Sequence, residues 1–178
     1  MNKAENLIWV DCEFTGLDYQ NQTIIEIAVV ITDEQLEIVA EPIQFVIHQP
    51  DEVLENATAW VQENIPDVLE ASRQSSHSIE HVEQEILEYL DKYTERGVSL
   101  LCGNTIGSDR HMLYYKMPEL EKWFHYRSID VSSIKELAER WEPQVLEIQT
   151  KKETHRALDD ILESIEELKI YKEHFFNL

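Results

Sequence analysis

The stretch Leu7-Ile8-Trp9-Val10-Asp11-Cys12-Glu13-Phe14-Thr15-Gly16 decides the fold of this chain. Its run of apolar and β-branched residues, closed by a glycine, predicts a buried strand. Because successive side chains of a strand point to opposite faces, Asp11 and Glu13 share one face at the end of this strand. Two carboxylates held side by side repel each other unless a cation lies between them. The arrangement suits a hard divalent cation with oxygen ligands, Mg²⁺ or Mn²⁺.

A second interpretation of the same spacing is a strand that ends in solvent with two hydrated acids. The chain carries 36 acidic residues, so an Asp-x-Glu spacing arises easily by chance. The spacing alone favours this second interpretation, and the decision rests on residues elsewhere in the chain.

Length and composition bound the architecture. With 178 residues, of which 43% are hydrophobic, the chain is long enough for one well-buried core, and we expect a single domain over residues 1–178. No cationic segment precedes the first apolar run and no long apolar stretch follows it, so we expect no membrane span, no secretion and a cytoplasmic location. Cys12 and Cys102 fall in predicted buried strands, as core residues of a reducing compartment do.

Charge and glycine content exclude several classes of function. The 15 basic and 36 acidic residues give a net charge of −21, the opposite of a protein that grips long nucleic acid. Only 4 glycines occur, so the chain has no glycine-rich loop for a nucleoside triphosphate or a dinucleotide. Kinase and Rossmann functions are therefore excluded.

Strand signals dominate the first part of the chain. Residues 23–32 predict a second strand, and residues 36–47, broken by Pro42, predict a third. The short links between these strands favour an antiparallel meander. Residues 51–74 are polar and less periodic, and we expect short helices or loop there.

Helical signals dominate the rest. Apolar residues at helical spacing predict a helix over 79–93. We expect a short buried strand over 99–104 and then a helix capped by Ser108, which would place Asp109 in the first turn beside the positive end of the helix dipole.

Two further helices complete an α/β pattern. Ser133 and Glu136 predict a capping box for a helix that runs to residue 141, and residues 158–168 predict a C-terminal helix. Strands first and helices later predict a mixed β-sheet flanked by α-helices.

Acidic residues on three separate elements combine with one histidine. They are Asp11 and Glu13 at a strand end, Asp109 at a helix start, Asp160 in the first turns of the last helix, and His155 five positions before it. In this order they resemble the three exonuclease motifs of the DEDDh superfamily, whose members share a ribonuclease-H-like sheet. The resemblance spans nearly the whole chain, through residues 8–18, 103–110, 123–137 and 155–161.

The resemblance implies a two-metal nuclease. In this family the four acids hold two divalent cations, Mg²⁺ or Mn²⁺, on the scissile phosphate. Histidine, with an unperturbed pKa of about 6.5, can take a proton from water near neutrality, and the resemblance gives this role to His155. Taken alone, a histidine before a helix is more often a surface or capping residue, and its spacing from Asp160 reverses that expectation. Asp159 is the rival ligand, and the family spacing favours Asp160.

The resemblance also implies substrate contacts. Leu17 matches a leucine that wedges between bases and Trp60 an aromatic residue that stacks on one, although ordinary packing would explain either side chain. Family members usually carry a histidine soon after the tryptophan, and residues 61–65 lack one. Family members hold the 5′-phosphate of a very short RNA with a cap of polar residues. The residues of this chain that match the cap are Ser108, Arg127, Ser132 and Ser133.

A homodimer is expected as well. Tyr126 matches a residue that family members contribute across a two-fold interface. The segment Trp123-Phe124-His125-Tyr126 is also unusually apolar for a surface connection.

Three functions remain open. The first is a 3′→5′ exoribonuclease that splits short single-stranded RNA, di- to pentanucleotides, into mononucleotides. The second is a proofreading or tRNA-trimming exonuclease that acts on longer strands, and the third is a nucleic-acid-binding module without turnover. The five matched acid and histidine positions argue against the third. Charge favours the first, since the basic residues near the site reduce to Arg127 with Arg110, Lys151, Lys152 and Arg156.

Overall fold

The computed structural model of the protein describes residues 2–148 and 156–176. Its strands are β1 Leu7–Phe14, β2 Ile24–Thr32, β3 Ile43–Val46, β4 Leu101–Gly103 and β5 Ser128–Asp130. They form one five-stranded sheet in the order β3-β2-β1-β4-β5. β1, β2 and β3 pair antiparallel, whereas β4 and β5 run parallel to β1. The predicted mixed sheet and its antiparallel meander are both confirmed.

Helices cover both faces of this sheet. Within the described residues they are α1 Asp51–Glu55, α2 Ala59–Asn64, α3 Pro66–Gln74, α4 Ile79–Tyr93, α5 Gly107–Lys116, α6 Pro118–Glu121, α7 Val131–Trp141 and α8 Ala157–Ile170. A π-helical turn, Tyr171–Phe175, continues α8. Residues 51–74 hold short helices, as expected. Among the helices described, none has both the length and the apolar character needed to cross a bilayer.

β1 separates two apolar cores. Cys12 and its even-numbered neighbours pack with α4 and α5 on one face, while Trp9 and Cys102 pack with α7 and α8 on the other. Both cysteines are buried and free, as predicted. Full burial contributes roughly 1.5–3 kcal/mol for each large aliphatic side chain, so this packing fixes which way β1 faces. Alternation along the strand then directs Asp11 and Glu13 to the face that α8 covers.

The third strand is shorter than predicted. β3 begins at Ile43, directly after Pro42, which has no N–H to give to a ladder. Leu36 lies in a turn with a φ of 71°, and Ile38 makes only an isolated bridge to Thr32. Leu36 is buried from that turn, so its apolar character reflects packing and not a strand.

The predicted cap of α5 is wrong. Ile106 precedes the helix in a helical conformation, and Ser108 lies inside the first turn, where its backbone N–H donates to the carbonyl of Thr105 at 2.9 Å. Thr105 has a φ of 51°, which turns the chain early and starts the helix before the serine. Asp109 is in the first turn of α5, as predicted.

The predicted capping box of α7 is also wrong. The helix begins at Val131 and is capped by Asp130, whose carboxylate accepts from the backbone N–H of Ser132 at 3.0 Å and from its hydroxyl at 2.6 Å. Ser133 therefore lies inside the helix. Asp and Ser are comparable caps, so the place where β5 ends decides between them.

Candidate active site

Three carboxylates converge where β1 meets α8. One oxygen each from Asp11, Glu13 and Asp160 lie within 4.8 Å of one another. Asp160 is in the first turn of α8, which packs directly against β1. The pairing of a strand end with a helix start thus brings together acids that are distant in the sequence.

The fourth acid, Asp109, is held against the strand between the first two. It is 5% exposed, and its Oδ1 accepts the backbone N–H of Cys12 at 3.0 Å. Cys12 separates Asp11 from Glu13 in the sequence, so Asp109 approaches the same strand end from α5. All four acids singled out in the sequence therefore surround the end of β1.

The pKa values of these acids are raised. Burial, followed by the charge of Asp160, raises the pKa of Asp11 to about 7. Burial, followed by the charge of Asp11, raises the pKa of Glu13 to about 8, and the same two causes raise the pKa of Asp109. A cation among the carboxylates would let them ionise, and an all-oxygen donor set is the one that hard divalent cations prefer. The residues present therefore fit a divalent metal.

Two arginines that the sequence analysis placed near the site form ion pairs with glutamates of the fold. Arg110 forms an ion pair with Glu121 at 3.0 Å and donates to the carbonyl of Tyr126 at 3.1 Å, which holds the loop before β5. Arg156 donates to the buried carboxylate of Glu26 at 2.9 Å. Three other predicted residues, Lys151, Lys152 and His155, lie outside the described residues.

An apolar cavity of about 540 Å³ opens beside the acids. Leu17 and Trp60 line it with 65% and 51% of their surfaces exposed, so neither side chain is packed as an ordinary core residue. Glu13 lines the same cavity, which joins the acid cluster to the apolar wall. The wall is tied to β1 because the N–H of Thr58, the cap of α2, donates to the carbonyl of Thr15 at 2.9 Å.

Four residues of this wall were given no role at the site from the sequence. They are Phe14, Gly16, Thr58 and Val61. Phe14 follows Glu13 directly, so its place in the sequence could have predicted that it lies beside the acid cluster. Thr58 and Val61 flank Trp60 in a segment whose periodicity was too weak to predict a helix face.

The serines assigned to a phosphate cap lie at the starts of α5 and α7, and Arg127 directly precedes β5. The hydroxyl of Ser132 accepts the N–H of Thr105 at 3.3 Å, which joins the two helix starts. Ser108 is half-buried and Ser133 is exposed. Arg127 lies over the ring of Tyr126, with 5.2 Å between the guanidinium carbon and the ring centroid.

The aromatic segment that suggested a dimer is mostly interior. Trp123 and Phe124 are 8% and 4% exposed, and the Trp123 indole N–H donates to Thr94 Oγ1 at 2.9 Å. The interpretation of this segment as an apolar surface is therefore wrong for these two residues, which pack into the core that contains α4. Tyr126 alone of the large apolar side chains in this segment is exposed, at 72%.

The fold and this site define a class of protein. Residues 8–168 match the family model RNase_T, described as exonuclease. Exonuclease I of E. coli in complex with single-stranded DNA superposes with a TM-score of 0.75 and 14% identity over 97% of this chain, and exonuclease I of Methylocaldum szegediense with 0.64 and 18% over 95%. These likenesses confirm the ribonuclease-H-like fold, and the chain spans 42% and 40% of those two chains. The class is an exonuclease.

Relatives in sequence narrow this class. The oligoribonuclease of Marinobacter nauticus is 49% identical over 180 residues, covering 100% of both chains. The oligoribonucleases of Pseudoalteromonas atlantica and Neisseria meningitidis are 48% and 44% identical over 98% of this chain and 98% and 95% of theirs. This chain belongs to the oligoribonuclease family.

The raised pKa values predict how stability depends on pH. In the folded metal-free protein Asp11 and Glu13 keep their protons up to about pH 7 and 8, whereas the unfolded chain releases them near pH 4. The folded state binds more protons between these limits, so the free energy of unfolding should fall as the pH rises through this window. Asp11→Asn should flatten that slope and raise the free energy of unfolding at pH 8 by roughly 1–3 kcal/mol. Urea titrations in the presence of a chelator measure both quantities.

Saturating Mn²⁺ serves as the control for this prediction. A cation that binds only the folded state should restore stability, and most strongly at the upper end of the pH window, where protons compete least for the carboxylates. Equal slopes in the wild-type and Asp11→Asn proteins would show that Asp11 does not titrate abnormally.

Proposed function

We propose that this chain is a 3′→5′ exoribonuclease that degrades very short single-stranded RNA, di- to pentanucleotides, to mononucleotides. The observation that carries the proposal is the junction of an acid cluster with a small apolar cavity, which Glu13 lines together with Leu17 and Trp60. Membership of the oligoribonuclease family supports the same activity. In this proposal residues 1–178 act as one domain in the cytoplasm.

The reacting end of the proposed site is built from acids. The ligands of two divalent cations, Mg²⁺ or Mn²⁺, are Asp11, Glu13, Asp109 and Asp160. When bound, such cations stabilise charge on the phosphate and lower the pKa of water. The Cys12 N–H fixes the orientation of Asp109 in advance. His155, which precedes α8, is the proposed general base that takes a proton from the attacking water.

The binding end holds bases and a 5′-phosphate. Leu17 and Trp60 expose apolar surface to the cavity, where the faces of bases can contact them. The proposed phosphate cap consists of Ser108, Arg127, Ser132 and Ser133. The hydroxyl of Ser132 donates to Asp130 at 2.6 Å and accepts the N–H of Thr105 at 3.3 Å, so in this proposal Ser132 shapes the cap by joining the two helix starts.

Charge disfavours an exonuclease for longer strands. The chain has a net charge of −21, and the ion pairs of Arg110 with Glu121 and of Arg156 with Glu26 offset two positive charges near the site. A long polyanion would meet mostly acidic surface, whereas a dinucleotide presents few phosphates. A binding module without turnover is disfavoured because a buried acid cluster costs stability unless it holds a cation.

Substrate length tests the proposal. We expect 5′-phosphorylated dinucleotides to bind most tightly and to turn over fastest. With one or two phosphates contacted, log Kd against log salt should have a slope of only about 0.7 to 1.4 in magnitude. Binding of two-, three-, five- and twenty-residue RNAs at two salt concentrations, with end-labelled time courses, measures this. Affinity that rises with length and collapses in salt would instead favour the exonuclease for longer strands.

Arg127→Ala is the matched variant for that experiment. Loss of a charged hydrogen bond to phosphate should weaken binding of the 5′-phosphorylated dinucleotide by roughly 10- to 100-fold and leave the 5′-hydroxyl form little changed. Arg140→Ala, which removes an exposed arginine paired with Glu136, should behave as wild type.

Replacement of Asp109 tests the proposed ligand set. Asp109→Asn keeps an oxygen for the Cys12 N–H but removes a buried negative charge. We expect kcat in Mg²⁺ to fall by on the order of 100-fold or more, while the metal-free protein is at least as stable as wild type at neutral pH. Asp91→Asn, at an exposed position of α4, should change neither quantity. Wild-type turnover by Asp109→Asn would remove Asp109 from the ligand set.

A homodimer that shares residues between sites is part of the proposal. Tyr126 is exposed and sits on a loop that Arg110 holds in place. If Tyr126 completes the partner's site, an equal mixture of inactive Tyr126→Ala and Asp109→Asn chains should regain about a quarter of the wild-type sites, all in mixed dimers. Activity of the mixture, measured after subunit exchange, tests this. No recovery, or a fully active monomer in sedimentation, would argue against a shared site.

A further inference from the structure

Glu26 is a carboxylate in the middle of a buried strand. Every residue of β2 is buried, and the side chain of Glu26 is 0% exposed. On the β1–β2 ladder Glu26 pairs with Glu13 of the acid cluster. A buried carboxylate is strongly destabilising without partners, so its partners show what it does.

The oxygens of Glu26 meet the start of α8. Its Oε1 accepts from Arg156 Nε and from the backbone N–H of Ala157, both at 3.1 Å, and its Oε2 accepts from Arg156 Nη2 at 2.9 Å. The residue before α8, Arg156, provides no side-chain cap of its own. The side chain of Glu26, in β2, therefore caps the start of α8 and places its negative charge at the positive end of the helix dipole.

This contact is one turn from Asp160. The backbone N–H of Asp160 donates to the carbonyl of Arg156 at 3.0 Å. On the other side, the hydroxyl of Ser164 donates to the carbonyl of Asp160 at 2.7 Å and accepts from Asn104 at 2.8 Å. Asp160 is thus held between two polar anchors, and Glu26 supplies the charged one.

We propose that Glu26 is a positioning residue, which through Arg156 and Ala157 fixes where Asp160 meets the other acids of the cluster. Three donors converge on the oxygens of Glu26 and Arg156 offsets its charge, so we assign it a positioning role and not that of a further cation ligand. The effect on hydrolysis rests on the function proposed above, whereas the effect on the start of α8 does not. Partners that orient metal ligands typically change metal affinity or activity by about 10- to 100-fold when removed.

Two variants separate position from charge. Glu26→Gln removes the charged contact and also one negative charge near the cluster. Glu26→Leu combined with Arg156→Gln removes the ion pair and the acceptor for the Ala157 N–H but keeps the net charge of the pair. We expect the double variant to bind Mn²⁺ about 10- to 100-fold more weakly and to lose kcat by a similar factor. KM for a dinucleotide should stay close to wild type, because the apolar cavity does not include α8.

Thr32→Val is the matched control. Thr32 is buried on the same strand, at the end opposite the acid cluster, and its Oγ1 accepts the indole N–H of Trp9 at 3.0 Å. This variant should lower the urea midpoint but leave Mn²⁺ affinity unchanged. The Thr32→Val protein therefore shows whether a loss of stability in β2, without a change at Glu26, is enough to weaken Mn²⁺ binding.

Two readouts do not depend on turnover. Electron paramagnetic resonance of free Mn²⁺ gives the metal affinity, and hydrogen exchange in the metal-free protein reports the amides of Ala157 and Asp160. We expect these amides to exchange faster in the double variant and as in wild type in Thr32→Val.

The outcomes distinguish this inference from the proposed function. Wild-type exchange, Mn²⁺ affinity and kcat in the double variant would overturn the positioning role and leave the function intact. Mn²⁺ affinity that is lost in Glu26→Gln but restored in the double variant would mean that charge acts and position does not. If the wild-type protein neither bound Mn²⁺ nor cut RNA, the proposed function would fail, and the exchange rates would still decide the role of Glu26.

Discussion

The repulsion among carboxylates at the end of β1 is the constraint on which the rest of the structure depends. Asp11, Glu13 and Asp160 place oxygens within 4.8 Å of one another, where negative charges on the three carboxylates repel each other. Apolar packing on both faces of the sheet opposes the repulsion, and the hydrogen bond from Cys12 to Asp109 fixes the fourth acid. The fold therefore stores unfavourable electrostatic energy in one place, where a bound cation can relieve it.

The strand half of this site could be predicted from the sequence, because alternation along β1 is a local rule. It gives Asp11 and Glu13 one face whatever else the chain does. The place of α8 on that face follows from packing between distant segments, which no local rule contains. Glu26 shows the limit most clearly, since an acid inside an apolar run is conspicuous, yet its partner Arg156 lies on another element and only the folded chain reveals the pair.

Helix starts and strand limits were harder to predict for a different reason. Several residues near each start are chemically adequate caps, so Asp130 and Ser133 compete on nearly equal terms and the end of β5 decides. Leu36 likewise lies in a segment whose composition predicts a strand. Its left-handed φ of 71° places it in a turn, from which its side chain packs into the core and makes no strand pairing. In both cases the sequence contained residues suited to the predicted cap or strand, and packing against the neighbouring element decided which structure formed.

The positions of the arginines show how the negative charge of the chain bears on the length of its substrate. Arg110 and Arg156 lie near the site, yet each neutralises a partly or completely buried glutamate, so little positive charge remains to track a backbone. In the proposed function, bases contact Leu17 and Trp60, which line an apolar cavity, and such contacts would hardly depend on salt. Each further phosphate of a longer strand would add repulsion from a surface of net charge −21 without adding a base to the cavity of about 540 Å³. In the proposed function, selectivity for very short RNA then requires no physical barrier to long strands, because the net negative charge of the chain disfavours them.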